Sequence, residues 1–357
     1  MKLLKILFFI GLTTALKAQV VSSELPFGAS LMFKNSANQS LEFLNDQGHF
    51  QYVIKTGLFI KLPSKGLETI GSNPLSNATY LYVNTYDKTY FLRNGGGELY
   101  SLSKDQFLRE DQSFAHKNQF DGHFFSDLDR LYYYGGYGLF RSKDFFVYYN
   151  WPTSDWQIVL NDSKEIPKGR MNALYETRDS KIYIAGGIHA SGMDQVTYLK
   201  DVFAFDLKEK RYLNMGVLNP ALQAIDFNWV TPSSLNFGFF TNKDIGLVRV
   251  SISNNKYVIY EKFDSFLSEA SSPLEIIRDS LYYTVKRNSL YYLNRISLKD
   301  LGALKKQEAF LYTKAVNNKP LIKQVFLGIG IIVIIYILFR VFAFVDLVKK
   351  RKTANRS

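Results

Sequence analysis

Leu131-Tyr132-Tyr133-Tyr134-Gly135-Gly136 leads into Tyr149 and, seven positions later, Trp156. Ile182-Tyr183-Ile184-Ala185-Gly186-Gly187 leads into Phe205 and Tyr212 at the same spacing. Each run is rich in β-branched and aromatic residues and stops at a glycine pair, which predicts a strand followed by a sharp turn. In Phe205-Asp206-Leu207-Lys208-Glu209-Lys210-Arg211-Tyr212 the polar centre predicts a hairpin, with an aromatic on each strand.

The same signature extends outward in both directions. A glycine triplet stands at Gly95-Gly96-Gly97, followed by Tyr100 and Phe107, and Phe43 and Phe50 repeat the spacing without the glycines. Looser copies are Val250 with Tyr257 and Tyr291 with Leu298. The first members of these pairs are separated by 57, 49, 56, 45 and 41 residues. Spacing near 40 to 50 residues suits a four-stranded propeller blade, and six copies predict six blades. Further strands are expected at Tyr80–Val83, Leu281–Val285 and Ser289–Leu293, with a short helix or connector at Leu301–Val316. No amphipathic helix of several turns is evident before residue 300, so the expected class is all-β.

A blade must pack both faces of its sheet against neighbours, which explains why 16% of the residues are aromatic. Most of these rings are expected in the core, although an exposed ring could also serve as a carbohydrate platform.

The two ends have a different composition. Lys2 and Lys5 precede the apolar run Ile6–Leu12, and Ala18 offers a small residue, which together form the pattern of a secretory signal over 1–18. The run is shorter than the roughly 20 residues that cross a bilayer; an uncleaved anchor is the alternative. Val325–Val345 is long enough to span, with Arg340 placed to carry its charge to the headgroup layer. Lys349, Lys350, Arg351 and Lys352 follow, and a basic cluster marks the cytoplasmic side. The expected order is signal peptide 1–18, propeller 19–303, connector 304–324, transmembrane helix 325–345 and basic cytoplasmic tail 346–357.

The ends also account for the charge. Of the net +12, +3 belongs to Lys2, Lys5 and Lys17 and +5 to the segment from Arg340 onward, which leaves +4 between them. That is too mild to indicate a nucleic-acid partner. The chain has no cysteine, so an exported domain must be held by its own core, which points towards a bacterial envelope protein facing the periplasm.

The repeats resemble those of the Kelch-repeat β-propellers, most closely over residues 80 to 215. The outer copies depart from that pattern, since they lack the glycine pair. The resemblance implies a propeller that either binds a partner or carries a sugar-active site at its channel mouth. The copper radical oxidases among such propellers need a tyrosine crosslinked to a cysteine, and this chain has no cysteine.

No phosphate loop, catalytic triad order or dinucleotide fingerprint is present, and the four histidines show no metal-ligand spacing, so no catalytic residue, metal or cofactor is assigned. Loop positions carry the binding candidates: His116, Lys117, Asn118 and Gln119 in one polar insertion, His189 and Asp194 in another, and Arg130 beside Asp127 and Asp129. Solvated surface and ordinary turns explain the same residues. The expected function is a membrane-anchored module that binds a protein or glycan, with a companion membrane protein as a further partner. The alternative is an epimerase- or lyase-type enzyme.

Overall fold

The computed structural model describes residues 20–314 except 36, 71–74, 112–117, 193–194, 224–226, 228–237, 243–244 and 261–269, together with 331, 333–337 and 340. The chain divides into two units, Met1–Thr313 and Lys314–Ser357.

The expected strands form, and the hairpins follow from the residues between them. Arg130–Tyr134 pairs with His123–Asp127 on one side and Phe146–Asn150 on the other, and Asp155–Ile158 completes an antiparallel sheet of four. Tyr149 lies directly opposite Trp156, and both are buried. This is the third of six such sheets among the described residues. The first is Leu31–Asn35, Ser40–Asn45, Gly48–Val53 and Leu58–Leu62, and the second Tyr80–Asn84, Thr89–Arg93, Leu99–Ser103 and Gln106–Arg109. The fourth contains Leu174–Arg178, Lys181–Ala185, Asp201–Asp206 and Arg211–Leu218.

The last two sheets borrow strands from the chain ends. The fifth joins Gly238–Asn242, Gly246–Ser251 and Lys256–Tyr260 to Lys306–Ala309, which lies beyond the sixth sheet in sequence. The sixth joins Glu275–Ile277, Ser280–Arg287 and Leu290–Ser297 to Val21–Glu24 from the N-terminal side. Tyr312–Lys314 then adds a fifth strand to the edge of the fourth sheet. Opening this ring therefore requires breaking strand pairing near both ends of the propeller.

A separate buried cluster fills each junction between successive sheets. Phe33 and Leu44 meet Phe91 and Phe107, and Leu131 and Tyr149 meet Leu92 and Leu99. Phe146 stacks on Phe205 with centroids 4.4 Å apart. Val202 meets Val248, Leu247 meets Leu281, and Phe43 meets Tyr282 to close the circle. Each fully buried apolar side chain contributes about 1.5–3 kcal/mol. Polar bonds cross the same layers: Trp156 Nε1 donates to Gly97 O at 3.0 Å, and the Tyr149 hydroxyl donates to Glu110 O at 2.6 Å. The fold is a six-bladed β-propeller.

Several expectations need correction in phase. Phe43 opposite Phe50 and Val250 opposite Tyr257 join second and third strands, whereas Tyr149–Trp156 and Phe205–Tyr212 join third and fourth. Tyr100 faces Arg109, and Phe107 faces Leu102. Leu298 begins the helix Leu298–Ala303, capped by Ser297 Oγ accepting from Lys299 N at 3.2 Å. The spacing marks a hairpin but not which hairpin, because any two-strand β ribbon with a short polar turn satisfies it. The stretch from 304 also does more than connect, since it supplies two propeller strands.

In the second unit, Ile331, residues 333–337 and Arg340 are helical, and the Arg340 guanidinium lies 5.9 Å from the Tyr336 ring. No helix among the described residues is long and apolar enough to cross a membrane. The expected span at 325–345 lies largely outside the described residues, and the expected signal at 1–18 lies entirely outside them.

Candidate functional site

Strands in a blade alternate in direction. The chain therefore enters each innermost strand at the same end of the ring at which it turns from second strand to third. That end carries the glycine pairs and two extra hairpins, Tyr137–Gly138 with Arg141–Ser142 and Ile188–Ala190 with Val196–Tyr198.

A cavity of about 300 Å³ opens at this end, among residues that lead into the inner strands of blades two to six. Its polar lining is Asn77, Asn94, Asp121, His123 and Asn172, and its rings are Tyr80, Tyr82, Phe124, Tyr175 and Phe227. Among the described residues no lysine or arginine lines it.

Backbone geometry sets the polar rim. Asp121 and Asn172 each sit two residues ahead of an inner strand, at φ +58° and +48°. Asx residues tolerate this left-handed conformation better than other non-glycine residues. Asp121 N donates to Asn94 Oδ1 at 2.9 Å, and Asn94 Nδ2 donates to Asp121 Oδ1 at 3.0 Å. Asn172 N donates to Asp121 O at 3.2 Å, so its backbone is tied while its half-buried amide borders the cavity. Asn77 is committed elsewhere: its amide exchanges two 2.9 Å bonds with the Met32 backbone.

His123 forms the floor. Its ring stacks on Tyr175 at 4.2 Å and 6° and on Phe125 at 5.4 Å and 13°. The residue is half-buried and borders the cavity, while burial lowers its pKa to about 3 and keeps it neutral. Deeper in the ring, Glu275 of blade six is buried, and burial pushes its carboxyl up to about 7. A hydrogen bond from Tyr82 and the charge of Lys34 oppose that shift.

The loop candidates from the sequence have other roles. Gln119 is buried, and its Nε2 donates to Gly135 O at 2.7 Å. The Tyr133 hydroxyl donates to Gln119 O at 2.9 Å and accepts from Gly122 N at 2.9 Å, which fixes the loop ahead of His123. Asn118 packs its carbonyl so close to Gly138 that a Cβ there would fall 1.6 Å away. His189 Nδ1 lies 2.7 Å from Gly169 O. These three residues reach the cavity's end of the ring but brace its loops. Arg130 starts a second strand and so lies at the opposite end, exposed, with its guanidinium 5.8 Å from the Tyr148 ring. His116, Lys117 and Asp194 lie outside the described residues.

Sequence reasoning passed over Asp121, Asn172 and Tyr175, and weighed His123 only as a metal ligand. One signal was available: Asp121-Gly122 and Asn172-Ala173 hold the same offset from their inner strands. Among the described residues no group of three His, Cys, Asp or Glu could hold a metal.

The class defined here is a six-bladed propeller with a polar, aromatic-floored cavity at one end of its channel. No model of a known protein family matches the chain, and no curated protein matches it.

Proposed function

We propose that this chain is a binding module of Kelch type, displayed outside the cytoplasm, that takes its ligand at the channel mouth. The observation that carries this reading is the chemistry of the cavity. It presents a carboxylate, an amide and a neutral imidazole over aromatic rings, which can hold and orient a ligand. An epimerase or lyase would need a base that takes a proton near neutral pH. On the described lining His123, with its pKa near 3, is a weak one and Asp121 already accepts from Asn94, while Glu275, raised to about 7, is buried against Tyr82 and is not on that lining.

The basic, apolar and small residues at 1–18 and the apolar stretch 325–345 before Lys349–Lys352 support export and a single span, with the tail inside a bacterial cytoplasm. Because the chain has no cysteine, a single introduced thiol reports topology. In intact cells a membrane-impermeant maleimide should label Ser163→Cys and leave Ser357→Cys unmodified. The reverse pattern refutes display outside the cytoplasm. Binding is tested by crosslinking in intact membranes through a photoreactive group at Asn172. Recovery of a discrete adduct is expected, and its absence counts against a module that acts through this cavity.

A further inference from the structure

We infer that the channel-mouth cavity selects an uncharged, polyhydroxylated ligand, the terminal ring of a neutral glycan, gripped by Asp121, Asn172 and His123. This rests on the cavity being the binding site.

The first argument is charge. An anionic ligand entering a partly dehydrated cavity loses hydration that only a cation or dense donors can replace. Among the described residues no lysine or arginine lines this one. A cationic ligand fares little better. His123, the imidazole on the lining, stacks on the Tyr175 and Phe125 rings, and burial lowers its pKa, so the site lends a positive charge little support. Asp121, the one carboxylate among the described lining residues, is exposed at the rim and shares an oxygen with Asn94.

The second argument is hydrogen-bond capacity. Beside the buried, unpartnered Tyr175 hydroxyl, three polar side chains are left for a ligand: a carboxylate that only accepts, an amide with two donors and an acceptor, and an imidazole with one of each. Hydroxyl groups are both donors and acceptors, so a polyol satisfies all three without an unpaired partner. The amide of Asn77 is excluded, since Met32 already uses both of its ends.

The third argument is shape. The rings of Tyr80, Tyr82 and Phe227 give the cavity apolar wall for the C–H faces of a sugar. At about 300 Å³ the cavity is at the low end of small-molecule sites, which fits a chain terminus better than a long oligosaccharide.

The test uses the full chain in detergent, with saturation-transfer NMR against three sets of probes. These are uncharged sugars (glucose, galactose, N-acetylglucosamine and their disaccharides), charged sugars (glucuronate, glucosamine) and uncharged dipeptides. Saturable binding of at least one uncharged sugar is expected. Asn172→Gly should weaken it tenfold or more, since glycine keeps the left-handed backbone and removes only the amide. Asp121→Asn should weaken it likewise, and Arg130→Ala, at the far end of the ring, should not. Thermal melts of all three variants report folding, so loss of binding with an unchanged melt is the supporting result. Binding confined to charged sugars or to dipeptides overturns the inference, as does sugar binding indifferent to both rim variants or the absence of any sugar binding.

Asn172→Cys carrying a bulky maleimide adduct separates this failure from failure of the binding reading. If the adduct abolishes crosslinked partner capture in membranes while no sugar binds, the cavity is a site for another ligand class. If it changes nothing, the cavity is not the site.

Discussion

Arg170 Nη1 donates to the carbonyl oxygen of Gly186 at 2.8 Å, and through this bond the linker between blades three and four holds the glycine pair of the fourth blade. The same residue holds the pair of the third, since Gly136 N donates to Arg170 O at 2.7 Å. The guanidinium is fully buried, lies 4.6 Å from the Phe203 ring and meets Asp201 through two bonds of 3.1 and 2.7 Å. Two glycine repeats that look independent in the sequence are therefore joined by one arginine.

Arg170→Met should consequently destabilise the propeller by about 3 kcal/mol, the lower end for a broken buried pair, because Asp201 keeps 42% of its side chain open to water. Arg178→Met breaks a surface contact to Asp179 and a 3.4 Å bond to Ser253 Oγ and should cost about 1 kcal/mol or less. Denaturant unfolding of the two variants measures the difference. Equal midpoints would remove Arg170 from this role.

The glycine pair itself is a steric requirement. Gly136 has φ +85°, and a Cβ there would sit 2.7 Å from the Phe120 carbonyl, which is backbone and cannot swing away. Gly136→Ala should cost at least about 2 kcal/mol. Gly302, in the helix Leu298–Ala303, has open space where its Cβ would go, so Gly302→Ala should be neutral or stabilising by up to about 1 kcal/mol. Comparative thermal melts check the pair, and a harmless Gly136→Ala would contradict the close approach.

These glycines show why the fold was legible. Blade packing forces large rings and glycine turns into the local sequence, and local patterns are what a sequence displays. Phase was harder. Phe43–Phe50 looks like Phe205–Tyr212, yet it belongs to a different hairpin of its blade, because the distinction lies in which strand neighbours the channel. The strands exchanged near the ends were invisible for the same reason: Val21–Glu24 pairs with a partner more than 260 residues away, and nothing local announces it. The site was less legible still. His116 to Gln119 stood out as polar and unusual, while Asp121 and His123, a few positions on, looked ordinary until the ring brought them beside Asn172 and Tyr175. Convergence across blades is a tertiary property that no single segment carries.

The C-terminal strands make the next prediction. Leu311 and Tyr312 are buried, and Asn255 exchanges two bonds with the Tyr312 backbone, accepting from its N at 2.8 Å and donating to its O at 3.0 Å. A fragment of residues 20–303 loses both side chains from the core between blades four and five and frees the edge of Lys256–Tyr260. Each lost side chain removes about 1.5–3 kcal/mol, so the fragment should melt on the order of 10 °C below one of residues 20–314. Indistinguishable melts would show that the exchanged strands add nothing.

Glu275 gives the pH dependence. Its folded pKa is raised to about 7 from the ordinary 4.5, so the folded state binds the proton more tightly than the unfolded chain does. Between those two values the folded state holds more protons, and stability must fall as pH rises through that window. The shift corresponds to at most about 3 kcal/mol, lost progressively from about pH 4.5 and fully absent above about pH 7. His123 slopes the other way: its lowered pKa costs stability as pH drops below about 6.5, so the total curve mixes the two. Glu275→Gln separates them. It mimics the protonated carboxyl at every pH, so it should match the unaltered chain at pH 4 and exceed it by up to about 3 kcal/mol at pH 8. Urea midpoints of both proteins across that range give the difference directly. A difference that stays constant with pH would mean that Glu275 keeps its ordinary acidity, and with it that the interior of the ring at Tyr82 is wet.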